Sequence, residues 1–133
     1  MRVGDAVKNT KRRGSQYEAL FVAQALKRGL DILEPYGDYM PYDVMVQNAD
    51  GRIQRVQVKG TGARIKGKPG FKIIAASGNT TKAPINPGEV DVLAAYVEPE
   101  DVWYLIPVVK LTGNVSVYLN PHSKVNGKYE VWK

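Results

Sequence analysis

Apolar residues recur with a helical period between Tyr17 and Leu26, and further along the chain the pattern changes to alternation. Ser15-Gln16-Tyr17-Glu18 fits a capping box, with Ser15 at N-cap and Glu18 at N3. The spacing predicts a helix from Ser15 to about Arg28, closed by Gly29 as a left-handed C′ residue. Leu30 to Leu33 reads as a short strand, and Pro35, Gly37 and Pro41 break the next stretch into a loop. Asp43–Gln47 and Arg52–Lys59 alternate as two strands. Between them Asn48-Ala49-Asp50-Gly51 predicts a three-residue hairpin loop, with Gly51 in the left-handed position of a bulge. In that register Asn48 faces Arg52 and Asp43 lies opposite Gln57.

Residues 60–70 form a Gly- and Lys-rich loop or hairpin tip, and Phe71–Ala76 reads as a strand. A long polar loop follows from Ser77 through Lys82 to Pro87. Val92–Val97, Val102–Ile106 and Val115–Leu119 are further strands, and Tyr129–Trp132 is a short packing segment. A helix followed mostly by strands predicts an α/β or α+β domain with a mixed sheet.

Composition narrows the chemistry. The 133 residues suit one domain. There is no cysteine, and His122 is the single histidine. This excludes a disulfide framework and Cys- or His-rich zinc motifs, and argues against a Ser-His nucleophile system. No apolar run approaches the ~18–20 residues of a spanning helix, so no membrane association is expected. No secretory signal is visible. The expected compartment is reduced and cytoplasmic, which a nucleoid-associated or phage-encoded protein would fit.

The net charge is +6, from 19 basic and 13 acidic residues. Its distribution is uneven. Residues 1–13 carry five bases against Asp5, and are read as a basic arm ahead of a single domain at 14–133. Residues 14–50 hold six acids against two bases, whereas 51–88 hold eight bases and no acid. Such a block is either a solvated face or a track for a phosphate backbone.

On a helical wheel Glu18 falls among Ala19, Phe21, Val22, Ala23, Ala25 and Leu26, away from Gln24, Lys27 and Arg28. A carboxylate on a buried arc needs a partner or a metal, although the capping box alone would also explain it. Gln57 and Lys59 share one strand face while Val56 and Val58 point to the core. The hairpin register brings Asp43 to the same place. The alternative is the polar outer face of a two-stranded ribbon.

Glu18 in RRGSQYEALFVAQALKRG, Asp43 in PYDVMV, and Gln57 and Lys59 in RVQVKG together resemble the PD-(D/E)XK nuclease superfamily. The opening stretch is similar to archaeal Holliday junction resolvases. The hairpin and the later VDVLAAYVEPEDVWYLIPV segment resemble the group I intron-associated homing endonuclease branch, in which Gln occurs in the triplet. There are two departures. Tyr42 rather than Asp precedes Asp43, and Gln57 replaces the commoner Glu.

The resemblance implies a restriction-endonuclease-like core, with a mixed β-sheet and an N-terminal acid-bearing helix. It implies hydrolysis of DNA phosphodiester bonds with Mg²⁺ (or Mn²⁺), with Glu18, Asp43, Gln57 and Lys59 catalytic. Asp43, Gln57, the Val58 carbonyl and Glu18 would hold the metal, and Lys59 would position the nucleophile. DNA contacts are expected from Lys8, Lys11, Arg12 and Arg13, from Arg64, Lys66 and Lys68, and from Asn79, Thr80 and Lys82. Junction-selective cleavage, site-specific homing-type cleavage and a non-catalytic nucleic-acid-binding module with a degenerate site all follow as readings. An adaptor using the aromatic C-terminus is a further one. Cutting two strands requires two sites, so a homodimer or homotetramer is expected. Tyr96, Trp103 and Tyr104 are expected in the core or at a subunit interface, and His122 in a solvated loop.

Overall fold

The computed structural model describes residues 2–6, 11–77, 83–123 and 128–133. One helix, α1 (Lys11–Lys27), precedes a succession of short strands. They are β1 (Asp31–Leu33), β2 (Val44–Gln47), β3 (Ile53–Thr61), β4 (Phe71–Ile74), β5 (Ala76–Ser77), β6 (Ala83–Pro84), β7 (Val92–Val97), β8 (Val102–Pro107), β9 (Ser116–Leu119) and β10 (Glu130–Trp132). The main sheet has the order β1-β2-β3-β7-β8-β10. Its β3–β7 pair is parallel and the other pairs are antiparallel, so the sheet is mixed.

Alternation along the central strands divides the core into two layers. Val56, Val58, Ala94, Tyr96, Trp103 and Leu105 pack with Tyr17, Phe21 and Ala25 of α1. Leu93, Ala95, Val97, Tyr104 and Ile106 face the other way, against the β4–β9 pair. The α1 layer is aromatic. Phe21 stacks on Trp132 at 5.6 Å and meets Trp103 edge-on at 5.5 Å, and Tyr17 meets Tyr96 edge-on at 5.5 Å. Tyr96, Trp103 and Tyr104 are therefore core residues.

The hairpin register is as expected. Val44 pairs with Val56 and Met45 with Arg55, and Gly51 has φ +88. The end of α1 is also as expected. Leu30 N–H donates to the Ala25 carbonyl and Gly29 N–H to that of Leu26, the bonds of a Schellman motif with Gly29 at φ +82.

The start of α1 differs. The helix begins at Lys11, so Ser15 is an interior, exposed position and no capping box forms there. Lys11, Arg12 and Arg13 are good helix formers and extend the helix. Those three residues thus belong to its first turns. The buried stripe is also narrower than the wheel suggested. Tyr17, Phe21 and Ala25 are buried, whereas Ala19, Ala23 and Leu26 are exposed. The large rings of Tyr17 and Phe21 set the rotation of the helix and leave Glu18 at the margin of its buried face. Further on, Phe71–Ala76 divides: β4 pairs with β9, and β5 pairs with β6 across part of the predicted polar loop. Residues 129–132 contain β10, an edge strand on β8. Among the described residues no helix is long and apolar enough to cross a membrane.

Candidate active site

Strand β3 runs past its last pairing with β2, at Val56, to Thr61. Among the described residues no strand pairs with the β2 side of β3 beyond that point, and Asp43 takes that place. The Asp43 N–H donates to the Val56 carbonyl at 2.9 Å, and Asp43 Oδ2 accepts the Val58 N–H at 2.7 Å. The carboxylate is thus fixed from both ends. In a strand the N–H and C=O of one residue project to the same side, so the Val58 carbonyl faces this gap too.

Glu18 reaches the gap from α1 and lines the same cleft as Asp43. Arg13, Gly14, Tyr17, Glu18, Asp43, Gln57, Val58, Lys59 and Gly60 line one cleft. The four predicted catalytic side chains therefore line one cleft, Glu18 from α1, Gln57 and Lys59 from β3, and Asp43 from just before β2. The ribbon alternative does not hold, because Asp43, Gln57 and Lys59 are half-buried under the start of the helix.

The electrostatics are those of crowded acids. Glu18 is pushed up to about 7 by burial, by its hydrogen bond to Asp43, and by the charges of Asp43 and Glu34. Glu18 therefore holds its proton to near neutrality. Gln57 Oε1 is buried and has no hydrogen-bond partner. An unpaired buried amide oxygen costs about 1–3 kcal/mol, so its place beside two carboxylates calls for a ligand. Two carboxylates, an amide oxygen and a main-chain carbonyl are hard oxygen donors, the set that Mg²⁺ or Mn²⁺ prefers. Among the described residues no three Asp, Glu, His or Cys side chains group as a metal cage.

Tyr17 is a cleft residue that sequence reasoning missed. Its hydroxyl donates to Glu98 Oε1 at 3.1 Å, and burial followed by that bond pushes it up to about 12. Its only signal was its place before Glu18 on a helix that carries a second aromatic four residues on.

Of the predicted DNA-contacting residues, Arg13 lies in the cleft itself, and Lys11 and Arg12 lie on the outer side of α1 with Ser15, Gln16 and Ala19. Lys66 and Lys68 are exposed on the turn before β4. Arg64 is engaged by the protein: its guanidinium pairs with Glu100 at 3.0 Å and lies 5.3 Å from the Phe71 ring centre. His122 is exposed but not purely solvated, since its Nε2 is 3.0 Å from the same Glu100 oxygen. Lys8, Asn79, Thr80 and Lys82 lie outside the described residues.

No curated protein matches the chain. A solved structure, that of the bacterial homing endonuclease I-Ssp6803I, matches with a TM-score of 0.74 at 23% identity. The match covers 92% of this chain and 88% of that one, and shows a shared restriction-endonuclease-like fold. The family model described as PD-(D/E)XK endonuclease matches residues 8–131. With that span including the helix acid, the hairpin Asp and the Gln-x-Lys triplet, the chain belongs to the PD-(D/E)XK endonuclease family.

Proposed function

We propose that this protein is a divalent-metal-dependent DNA endonuclease that hydrolyses phosphodiester bonds in the Glu18–Asp43–Gln57–Lys59 cleft. The buried, unpartnered Gln57 Oε1 beside a fixed Asp43 carries this reading. Asp43, Gln57, the Val58 carbonyl and Glu18 would hold Mg²⁺ (or Mn²⁺). Such an ion lowers the pKa of a coordinated water and offsets charge on the phosphate.

The chain's own groups do the rest. The Val58 N–H holds Asp43 in one orientation, so the carboxylate need not reorganise during the reaction. Glu18 gives up its proton as positive charge enters the cleft. Lys59, on the same strand face as Gln57, supplies an ammonium that orients the attacking water and stabilises charge on the phosphate oxygens. Arg13 extends the positive side of the cleft toward a neighbouring phosphate.

The substrate reading we favour is duplex DNA cut at a specific site. The similar structure is that of a homing endonuclease, and the hairpin and β7–β8 segments resemble that branch. Cutting both strands calls for a homodimer or homotetramer, acting in a reduced compartment that holds DNA. The test is cleavage of plasmid, linear duplex, four-way junction, flap and single strand with Mg²⁺ or Mn²⁺. Asp43→Ala and Lys59→Ala should each lower the rate by about 10²-fold or more, and EDTA should abolish it. Binding without cleavage under all these conditions would instead make the protein a non-catalytic DNA-binding module.

A further inference from the structure

The recess on the other side of the Glu18–Asp43 pair is walled by the loop between β1 and β2. Glu34, Pro35 and Gly37 line it together with Ser15, Glu18 and Asp43. Three tyrosines in this loop divide their roles. Tyr42 is half-buried against the core. Tyr36 and Tyr39 are 95% and 78% exposed, and Met40 beside them is 38% exposed.

The two rings sit on a loop bounded by prolines. Gly37 has φ +86, and a Cβ there would stand 2.8 Å from the Tyr39 ring, so the ring lies against the turn. Pro35 and Pro41 restrict φ on either side. A ring already packed against its own turn, as Tyr39 is, costs less to order on binding.

Charge decides what they can touch. No Lys or Arg occurs between Arg28 and Arg52, and the loop itself carries Glu34 and Asp38. The Arg13 and Lys59 side attracts phosphates, whereas the loop side repels them. DNA held by the basic side meets the loop through its bases and sugars, where aromatic rings stack or wedge between base steps.

We propose that Tyr36 and Tyr39 form an aromatic wedge that contacts the bases beside the phosphate bound in the cleft. This rests on the nuclease reading of the same cleft.

The test is ultraviolet crosslinking of the full chain to bromouracil-substituted plasmid DNA, with Ca²⁺ replacing Mg²⁺, followed by trypsin and mass spectrometry. Residues 29–52 form one tryptic peptide, because no Lys or Arg interrupts it before Arg52. The expected result is an adduct at Tyr36 or Tyr39. The Tyr36→Ala/Tyr39→Ala double variant should bind the plasmid about tenfold or more weakly. Its log affinity should keep the wild-type slope against log salt, because no phosphate contact is lost. Both rings are exposed, so the melting temperature should be unchanged; should the double variant misfold, the wild-type adduct and the single variants still decide.

Adducts confined to other peptides, with binding by the double variant within twofold of wild type, would overturn the wedge. So would a smaller oligomer at unchanged DNA affinity, which would make the rings a subunit contact. Cleavage by wild type with no adduct at either tyrosine sinks the wedge and leaves the nuclease standing. An adduct at these tyrosines on a protein that never cleaves does the reverse. A chain that does not bind DNA overturns both.

Discussion

Glu18 shows how one side chain links stability to chemistry. Its folded value near 7 lies above the usual carboxylate range, so the folded state holds a proton that the unfolded chain releases from about pH 4.5 upward. Folding is therefore penalised as pH rises through that window. In EDTA, the unfolding free energy should fall between about pH 5 and 8 by on the order of 1–2 kcal/mol after discounting for solvent screening, and the melting temperature should fall with it. Glu18→Gln should flatten that profile. Gln57 carries the complementary prediction. A neutral amide binds a divalent cation more weakly than a carboxylate, so Gln57→Glu should lower the Mg²⁺ concentration for half-maximal cleavage. An unchanged metal titration would remove Gln57 from the ion's shell.

At this scale the chemistry-bearing residues were legible because strand alternation and a hairpin register are short-range facts. Asp43 opposite Gln57 followed from the turn alone. The Glu18 environment was legible only in outline. The wheel placed it toward the core but counted Ala19 and Leu26 on the same side. It could not weigh the Tyr17 and Phe21 rings, whose partners Tyr96, Trp103 and Trp132 lie far along the chain.

Among the elements, the approach of α1 to β3 is the close one. A Cβ on Gly60 would stand 2.4 Å from the Tyr17 ring, a fixed aromatic rather than a flexible tip. Gly60→Ala should push that ring off Glu98 and Tyr96, lowering stability by about 1–3 kcal/mol and lowering activity through the displaced helix start. Pairing it with Tyr17→Ala should cost less than the sum of the two single changes in denaturant melts. The β3–β7 junction has its own clamp. Asp91 accepts the Arg55 main-chain N–H at 2.7 Å and its Nε and Nη2 at 2.9 Å each. The Arg55 hydrogen bonds hold Asp91 below its ordinary value. Its contribution is thus present above about pH 4 and is lost as pH falls through the lower folded value. Asp91→Asn should remove part of the acid sensitivity and shift the denaturant midpoint downward at pH 7. The start of α1 was misread because Ser15 and Glu18 satisfy a local capping pattern that the helix, already four residues long by then, does not need.

Across the whole molecule, charge is arranged around the cleft rather than spread over the surface. The acids of the helix and hairpin meet in the gap, and bases from α1 and β3 stand beside it. DNA affinity should fall steeply with salt, and Arg13→Ala should reduce the log–log slope by about one, as loss of a single phosphate contact does. A slope unmoved by Arg13→Ala would place that guanidinium away from the backbone. Arg64 shows what linear charge reading misses. The acid-free run from 51 to 88 counted it as available, but its partner Glu100 comes from beyond that run, and folding brings the two together. The mixed sheet was predicted from the order of elements, whereas the strand order, with β7 inserted beside β3, has no local signature.

That parallel β3–β7 contact also bears on how the chain reaches its native state. The β2–β3 hairpin closes through a short turn, but β3 meets β7 only after the intervening 62–91 segment has looped back. Local closure precedes long-range closure. The hairpin bearing Asp43, Gln57 and Lys59 should therefore form early, and the cleft should open for business only when the central seam zips. Destabilising the turn, as by Gly51→Ala, should slow refolding, whereas trimming Leu93 to Ala should chiefly speed unfolding. Stopped-flow chevrons of the two variants would separate these outcomes.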